Sequence, residues 1–391
     1  MKRSTDRILT THVGSLPRPD DLLALMAARM DGKPVDDGAY ASTLRRATDD
    51  IVNKQIEVGL DIVNDGEMGK SSFITYVNDR LGGIERREGQ RPSPFATSRE
   101  TLSFPEFYAA EQAMQTSSVR RRIRVVAAAP IAYKGQAQLK TELANLKAAT
   151  AGKPVAEAFV PAIAPSNIEA TIPNEHYPTV EAYLFALADT MAEEYRAIVD
   201  AGFLLQIDDP FLVTYYITQP QLSLAECRKW CELRVEALNH ALKGIPEEKI
   251  RFHTCYSINM GPRIHDMQLK DIIDIILKVK AQGYSFEAGN PRHEHEFEVW
   301  GQVKLPDDKI LIPGVITQST VLVEHPELVA QRLVRFAGIV GRERVIAGAD
   351  CGFASFAGSN EVHPSIVWPK FQALSEGARI ASKKLWGRAA P

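Results

Sequence analysis

Four cysteines in 391 residues are too few to staple a chain of this length. A disulfide framework is therefore excluded, and a reducing cytoplasm is the expected setting. A surplus of charge is missing too. Basic residues number 46 and acidic ones 49, leaving a net charge of −3, so neither nucleic acid nor a membrane surface is expected as partner. No apolar run approaches the ~18 residues of a membrane span. The opening MKRSTDRILTTHVGS lacks an apolar signal core, so export is not expected. A GxGxxG turn and a P-loop are both absent, which leaves a nucleotide-binding doubly wound sheet without support. Whether the chain forms a homo-oligomer is left open by its composition.

What is present is alternation. Strand-like apolar runs occur at 8–15, 59–67, 123–130, 155–162, 203–210, 249–256, 283–290, 309–316 and 344–353. Helical patterns lie between most of them. VEAYLFALADTMAEEYRAIVDA (180–201) has helical apolar spacing and ends at Gly202. Ser223 and Glu226 have the spacing of a capping box before a helix over 223–242. Apolar IIDIIL predicts a helix over 266–282, and Pro326 and Gly341 bracket one over 326–340.

Strand–helix alternation over more than 300 residues implies a parallel sheet. We read an α/β fold, a (β/α)8 TIM barrel forming one domain over 1–391. Nine strand candidates compete for eight places. The supernumerary one is 123–130, which follows the polar stretch 85–118 and the basic run RRRIR (120–124). The region near 85–130 is thus read as an inserted hairpin or irregular segment, and the basic run as a solvated face.

In a parallel barrel, chemistry gathers at the C-terminal ends of the strands. Those ends carry His12 and Ser15, Asp65 and Glu67, Asp208 and Asp209, His253 and Cys255, Glu287, Gln318 to Thr320, and Asp350 and Cys351. Taken singly, Cys255 and Cys351 read as buried small hydrophobes and His253 as a hydrogen-bonded core histidine. Taken together, His253, Cys255, Glu287 and Cys351 form a candidate zinc site of imidazole, thiolate and carboxylate ligands. His253 and Cys255 stand two apart on a strand and so share a face. Asp65, Asp209 and Asp350 are expected to orient these groups. Cys227 and Cys231 share one helix face and read as packing residues. His293 and His295 of HEHE (293–296) are read as supporting or substrate-contacting groups.

These strand ends carry a family likeness. TTHVGSLPRP (10–19), NDGE (64–67), QIDDP (206–210), FHTCYS (252–257), SFEAGNPRHEHE (285–296) and IAGADCGF (346–353) resemble, in order, the catalytic barrel of cobalamin-independent methionine synthase. The chain looks like a short single-barrel form of that family. EHPELVAQR (324–332), and GP with a following HD (261–266), are also similar to the branch containing epoxyalkane:coenzyme M transferases. The resemblance implies that His253, Cys255, Glu287 and Cys351 hold Zn²⁺. It implies that Ser15, Glu67 and Asp208 bind the amino-acid part of homocysteine, and we group His12 with them as substrate-binding. Glu287 and Asp208 are the residues expected to act in the reaction itself, Glu287 by yielding its place to the incoming thiol. Two family features are missing. GVITQSTVLVEHPE (314–327) has no histidine at its turn, and SNIEATIPNEHY (166–177) offers no tryptophan.

The expected activity is a zinc-dependent S-methyltransferase. A small thiol such as homocysteine would attack a methyl donor such as 5-methyltetrahydrofolate. The alternatives are alkylation of coenzyme M by an epoxide, and a corrinoid-linked zinc methyltransferase. A barrel with purely structural zinc is the non-enzymatic reading. Coenzyme M bears a sulfonate and no ammonium, so Glu67 and Asp208 favour an amino-acid thiol.

Overall fold

The alternating runs fold into a ring of parallel strands. The computed structural model describes residues 1–90, 93–114, 123–256, 261–359 and 361–387. Its strands are β1 (Leu9–Thr10), β2 (Ile62–Val63), β3 (Leu81–Gln90), β4 (Ile123–Tyr133), β5 (Glu157–Ile163), β6 (Leu204–Asp208), β7 (Ile250–His253), β8 (Gly283–Phe286), β9 (Ile310–Ile316) and β10 (Ile346–Ala349). Eight of them pair in the order β1-β10-β9-β8-β7-β6-β5-β2, every ladder parallel. The two ends of that order meet without a ladder. Asp61 N–H donates to the Thr10 carbonyl at 3.1 Å, and Thr11 Oγ1 donates to the Ile62 carbonyl at 3.1 Å. The ring is therefore a (β/α)8 barrel, as the alternation implies.

Period-two alternation sorts the strand side chains into two layers. Leu9, Ile62, Phe159, Leu204, Ile310, Ile312 and Ile346 form one buried cluster. Their neighbours Val63, Val160, Leu205, Leu311 and Ala347 belong to the larger cluster shared with the helices. Arg251 lies fully buried in the first layer's neighbourhood. It spans from β7 to Thr11 Oγ1 (2.9 Å) and the His12 carbonyl (2.7 Å), its guanidinium 4.2 Å over the Phe159 ring.

Local signals set most helix ends. Thr179 caps Val180–Asp200 by accepting from Ala182 N–H, and Gly202 follows with φ +97°. Ser223 and Glu226 form the expected capping box on Leu224–Ala241. Pro326 opens and Gly341 (φ +89°) closes Pro326–Val340. The helix expected over 266–282 is mostly absent. Only a 3₁₀ turn at Leu269–Asp271 and one short turn at Ile273–Ile276 form. Ile272, Ile273, Ile275 and Ile276 are all buried. Packing on nearly every side, rather than one amphipathic face, decides that segment.

The inserted hairpin expected near 85–130 is present, and the polar stretch 85–118 is more regular than expected. Residues 81–90 are a strand, paired antiparallel with β4 as a long hairpin, and Arg99–Ser103 and Pro105–Met114 are helices. Gly82, Gly83 and alternating charges hide the strand from a hydrophobicity pattern, because this ribbon buries little. Most of the basic run lies outside the described residues. The hairpin is fastened at its base by Arg80, which pairs with Glu142 and Glu194, while Tyr76 and Tyr133 each donate to Glu194 at 2.7 Å. All four partners and Arg80 are buried. Arg80→Met should therefore strand two buried carboxylates and lower stability by ~3–5 kcal/mol. Urea unfolding measures this; a loss below about 1 kcal/mol would show the network to be dispensable.

Candidate metal and thiol site

All eight barrel strands point the same way, so the loops after them share one rim. From β7 come His253 and, two residues on, Cys255; from β10 comes Cys351. Their ligand atoms all lie within 4.8 Å of one another. The two sulfurs are 3.3 Å apart although 96 residues separate them in sequence. His253 Nδ1 meets Ser285 Oγ at 3.1 Å, which leaves Nε2 buried with no partner. Burial, and then the nearby Arg251 charge, lower the His253 pKa to about 3, so the ring is neutral. The Cys351 thiol is pushed well above its usual range by its contact with Cys255 and by burial. A buried nitrogen lone pair without a donor and two thiols in contact form a donor set that suits one soft divalent cation.

The loops that carry these groups are tightly held. A register shift between Gly348 and Ala349, against β9, precedes Asp350 and re-aims the residues that follow. Asp350 Oδ1 accepts from the Ala288 and Gly289 N–H groups, both at 2.8 Å, and Oδ2 accepts from Asn290 at 3.0 Å. This approach needs Gly314, since a Cβ there would sit 2.3 Å from Asp350 Oδ1. Asp209 N–H donates to the His253 carbonyl at 2.8 Å, and its carboxylate accepts from Ser166 and Asn167. Asp65 Oδ1 accepts from Glu67 N–H at 2.9 Å. Burial raises Asp65, Asp209 and Asp350 each to about 6. All three thus bond to groups on the loops beside the site.

Glu287 is not part of the three-residue cluster. Its Oε1 accepts from Tyr256 N–H at 2.7 Å, and its Oε2 accepts from Arg263 and Asn290, both at 2.7 Å. Arg263 in turn donates to Asp266 at 2.9 Å, and Asp266 meets His293 Nε2 at 2.9 Å. The His293 ring stacks on Tyr256 with centroids 3.9 Å apart. Burial alone would lower the His293 pKa, but hydrogen bonds to Asp266 and Glu296 overcome it and raise the value to about 9. His295 is exposed.

Val13, Ser15, Glu67, Phe73 and Asp208 line one pocket with His253, Cys255 and Cys351. Gly352 lets two of its walls meet, for a Cβ there would lie 2.0 Å from Ser15 Oγ. Glu67 adopts φ +57°, rare for a side chain of its size, and its buried Oε2 has no partner. Burial, and then the Glu67 charge, push the Asp208 carboxyl well above the usual range. Arg18 holds this wall together by donating to the carbonyls of Glu67 (2.8 Å), Lys70 (2.9 Å) and Ala354 (2.9 Å).

His12 stands apart from the pocket. Its ring packs edge-on against Phe159 and Phe371, and Nε2 lies 2.8 Å from Gln55 Oε1. Gln318 is buried, but neither it nor Ser319 or Thr320 lines the pocket. Cys227 and Cys231 are buried helix-packing residues, and Cys231 Sγ faces the Leu212 carbonyl at 3.1 Å. Arg18, Arg263, Asp266 and Asn290 were not singled out in sequence. Their only signal was proximity to the quoted motifs, because each acts through partners distant in the chain.

Comparison with known proteins agrees with this geometry. The chain matches the family described as "Cobalamin-independent synthase, Catalytic domain" over residues 8–91 and 108–366. It is 25% identical over 378 residues to a methionine synthase of Thermococcus kodakarensis, covering 96% of this chain and 94% of that one. It is 24% identical over 377 residues to a 5-methyltetrahydropteroyltriglutamate–homocysteine methyltransferase of Thermotoga petrophila, covering 91% of this chain and 43% of the longer relative. A B12-independent methionine synthase from a Shewanella species, solved with selenomethionine, superposes with a TM-score of 0.69 at 18% identity. That match covers 98% of this chain and all of the other. The chain therefore belongs to the cobalamin-independent methionine synthase family, as a form of its catalytic barrel.

Proposed function

We propose that the protein is a zinc-dependent S-methyltransferase that methylates homocysteine from a methylated folate. The observation that carries this reading is the single pocket shared by a His–Cys–Cys donor set and two acidic side chains, Glu67 and Asp208. The relatives named as methionine synthase and as homocysteine methyltransferase support the substrate assignment. His253, Cys255 and Cys351 would hold the metal, and thiolate with imidazole donors favour zinc among divalent cations. When bound, zinc supplies Lewis acidity that keeps a substrate thiol deprotonated at neutral pH.

The chain's own residues supply binding and orientation. Glu67 Oε2 has no partner, and a substrate ammonium would provide one. Asp208 sits in the same pocket and would share that cation, while Ser15 offers a hydroxyl to the substrate carboxylate. The Arg18 clamp fixes Glu67 relative to the loop after Cys351. Methyl transfer then needs the substrate sulfur to attack the methyl carbon as the donor nitrogen takes the departing electron pair. Among the described residues, no helix is long and apolar enough to cross a membrane. We place the enzyme in the reducing cytoplasm, where its four free cysteines would stay reduced.

Purified protein should carry about one zinc per chain. Adding homocysteine should release protons, whereas 2-mercaptoethanesulfonate should not, because its sulfonate would face Glu67 and Asp208. Cys351→Ala or His253→Ala should abolish both metal retention and turnover. A metal-free protein with full turnover would end this reading. Glu67→Gln and Asp208→Asn test the amino-acid subsite separately. Each should raise the KM for homocysteine by roughly 10- to 100-fold, the loss of one charge-assisted hydrogen bond, with zinc content unchanged. Equal loss of zinc would remove the ammonium assignment.

A further inference from the structure

Among the described residues, eleven line the pocket that joins the acids to the sulfurs, and ten of them are buried. The exception is Phe73, on the loop after β2, which is half-exposed. Phe73 is thus the lining side chain at which the pocket meets solvent. A reactant that comes to a sulfur seated beside His253, Cys255 and Cys351 passes this ring.

The ring is held by a neighbour and by a clasp. Phe356, also half-exposed, packs edge-to-face against it, with centroids 6.1 Å apart and planes at 71°. Aromatic pairs favour that geometry, so each ring steadies the other. The loops that carry them, after β2 and after β10, are zipped together. Ser72 and Phe356 form an antiparallel bridge, Phe73 N–H donates to the Ser355 carbonyl at 3.3 Å, and Ala357 N–H donates to the Ser71 carbonyl at 2.9 Å. Arg18 closes the base of the same clasp. It donates to the carbonyls of Lys70 and Ala354, the residues just before Ser71 and Ser355. Two apolar rings are therefore ordered at the mouth before any ligand arrives, and a ligand that docks on them loses little to ordering.

We infer that Phe73, propped by Phe356, is the wall on which the flat ring of the methyl donor stacks, and so a residue that determines donor specificity. This rests on the folate reading proposed above and deepens it. The pyrimidine half of a reduced pterin is flat and conjugated, and such a ring stacks on an aromatic side chain as a nucleobase does. The two phenyl rings carry no charge, which matches a donor ring that is neutral at pH 7. The acids Glu67 and Asp208 serve the other substrate, whose ammonium they would receive. Acceptor and donor are thus read by different chemistry at two parts of one pocket.

Equilibrium dialysis with 5-methyltetrahydrofolate tests the inference without turnover. Phe73→Leu keeps apolar bulk and removes the ring. It should weaken donor binding by about tenfold, the usual reach of one stacked base. Phe73→Tyr keeps the ring and should bind within about threefold of the unsubstituted protein. Phe356→Ala removes the prop but leaves the wall, and should fall between the two. In all three, zinc content and the proton release caused by homocysteine should be unchanged. In turnover the loss should appear in the KM for the donor and leave the KM for homocysteine alone. Equal donor binding by Phe73→Leu and the unsubstituted protein would overturn the inference, as would a loss confined to the homocysteine response. If the unsubstituted protein bound no 5-methyltetrahydrofolate yet still released protons with homocysteine, the folate assignment would fall and the inference with it, a result distinguishable from the other two.

Discussion

Two sulfurs 3.3 Å apart, with an unpartnered imidazole nitrogen beside them, form the constraint on which the site depends. One thiol follows β7 and the other follows β10, and two further strands lie between them in the ring. The contact exists only after the β7–β8–β9–β10 ladders have formed in register. An uncoordinated grouping of this kind would be unfavourable, since burial leaves the nitrogen without a donor and raises the Cys351 thiol. A cation satisfies all three groups together, so metal and fold are expected to stabilise each other.

The acidic residues around that centre fall into two kinds. Asp65, Asp209, Asp350 and Glu287 are occupied, each accepting from backbone or side-chain donors, and their work is to hold loops in place. Glu67 and Asp208 are different. Glu67 keeps one oxygen unpartnered, and Asp208 is buried close enough for Glu67 to raise its pKa. The fully engaged acids hold the rim together, while Asp208 accepts from Gln206 at 2.7 Å and only Glu67 keeps a buried oxygen without a partner. Arg18 and Arg263 separate these roles. The first joins the pocket wall through backbone carbonyls, and the second ties down the carboxylate nearest the thiol loops.

The inserted segment contributes more than a surface ornament. Glu100 accepts from the N–H groups of both Arg263 and His265, so an element outside the eightfold repeat braces the loop after β7. At its other end, Arg80 binds the hairpin to the helices Gln136–Thr150 and Val180–Asp200 through Glu142 and Glu194. Buried ion pairs of this kind cost desolvation and add little net stability, but they define one arrangement sharply.

The barrel was legible in sequence because its cause is local and periodic. Nine apolar runs became strands, and the capping box at Ser223 and the first-turn Pro326 mark helix starts from a few neighbouring residues. The gathering of His253, Cys255 and Cys351 was legible for a related reason, since strand direction sends all three to the same rim. The strand at 81–90 and the broken helix after 266 were not, because pairing and all-round burial decided them against their own pattern. His12, read as a substrate contact, is held away between two aromatic rings, and Glu287 is claimed by Arg263. Chain order thus determines which side chains reach the rim, since periodicity and strand polarity are properties of short segments. Which of them remain unsatisfied there is decided only by the folded structure, because hydrogen-bond partners come from segments far apart in the chain.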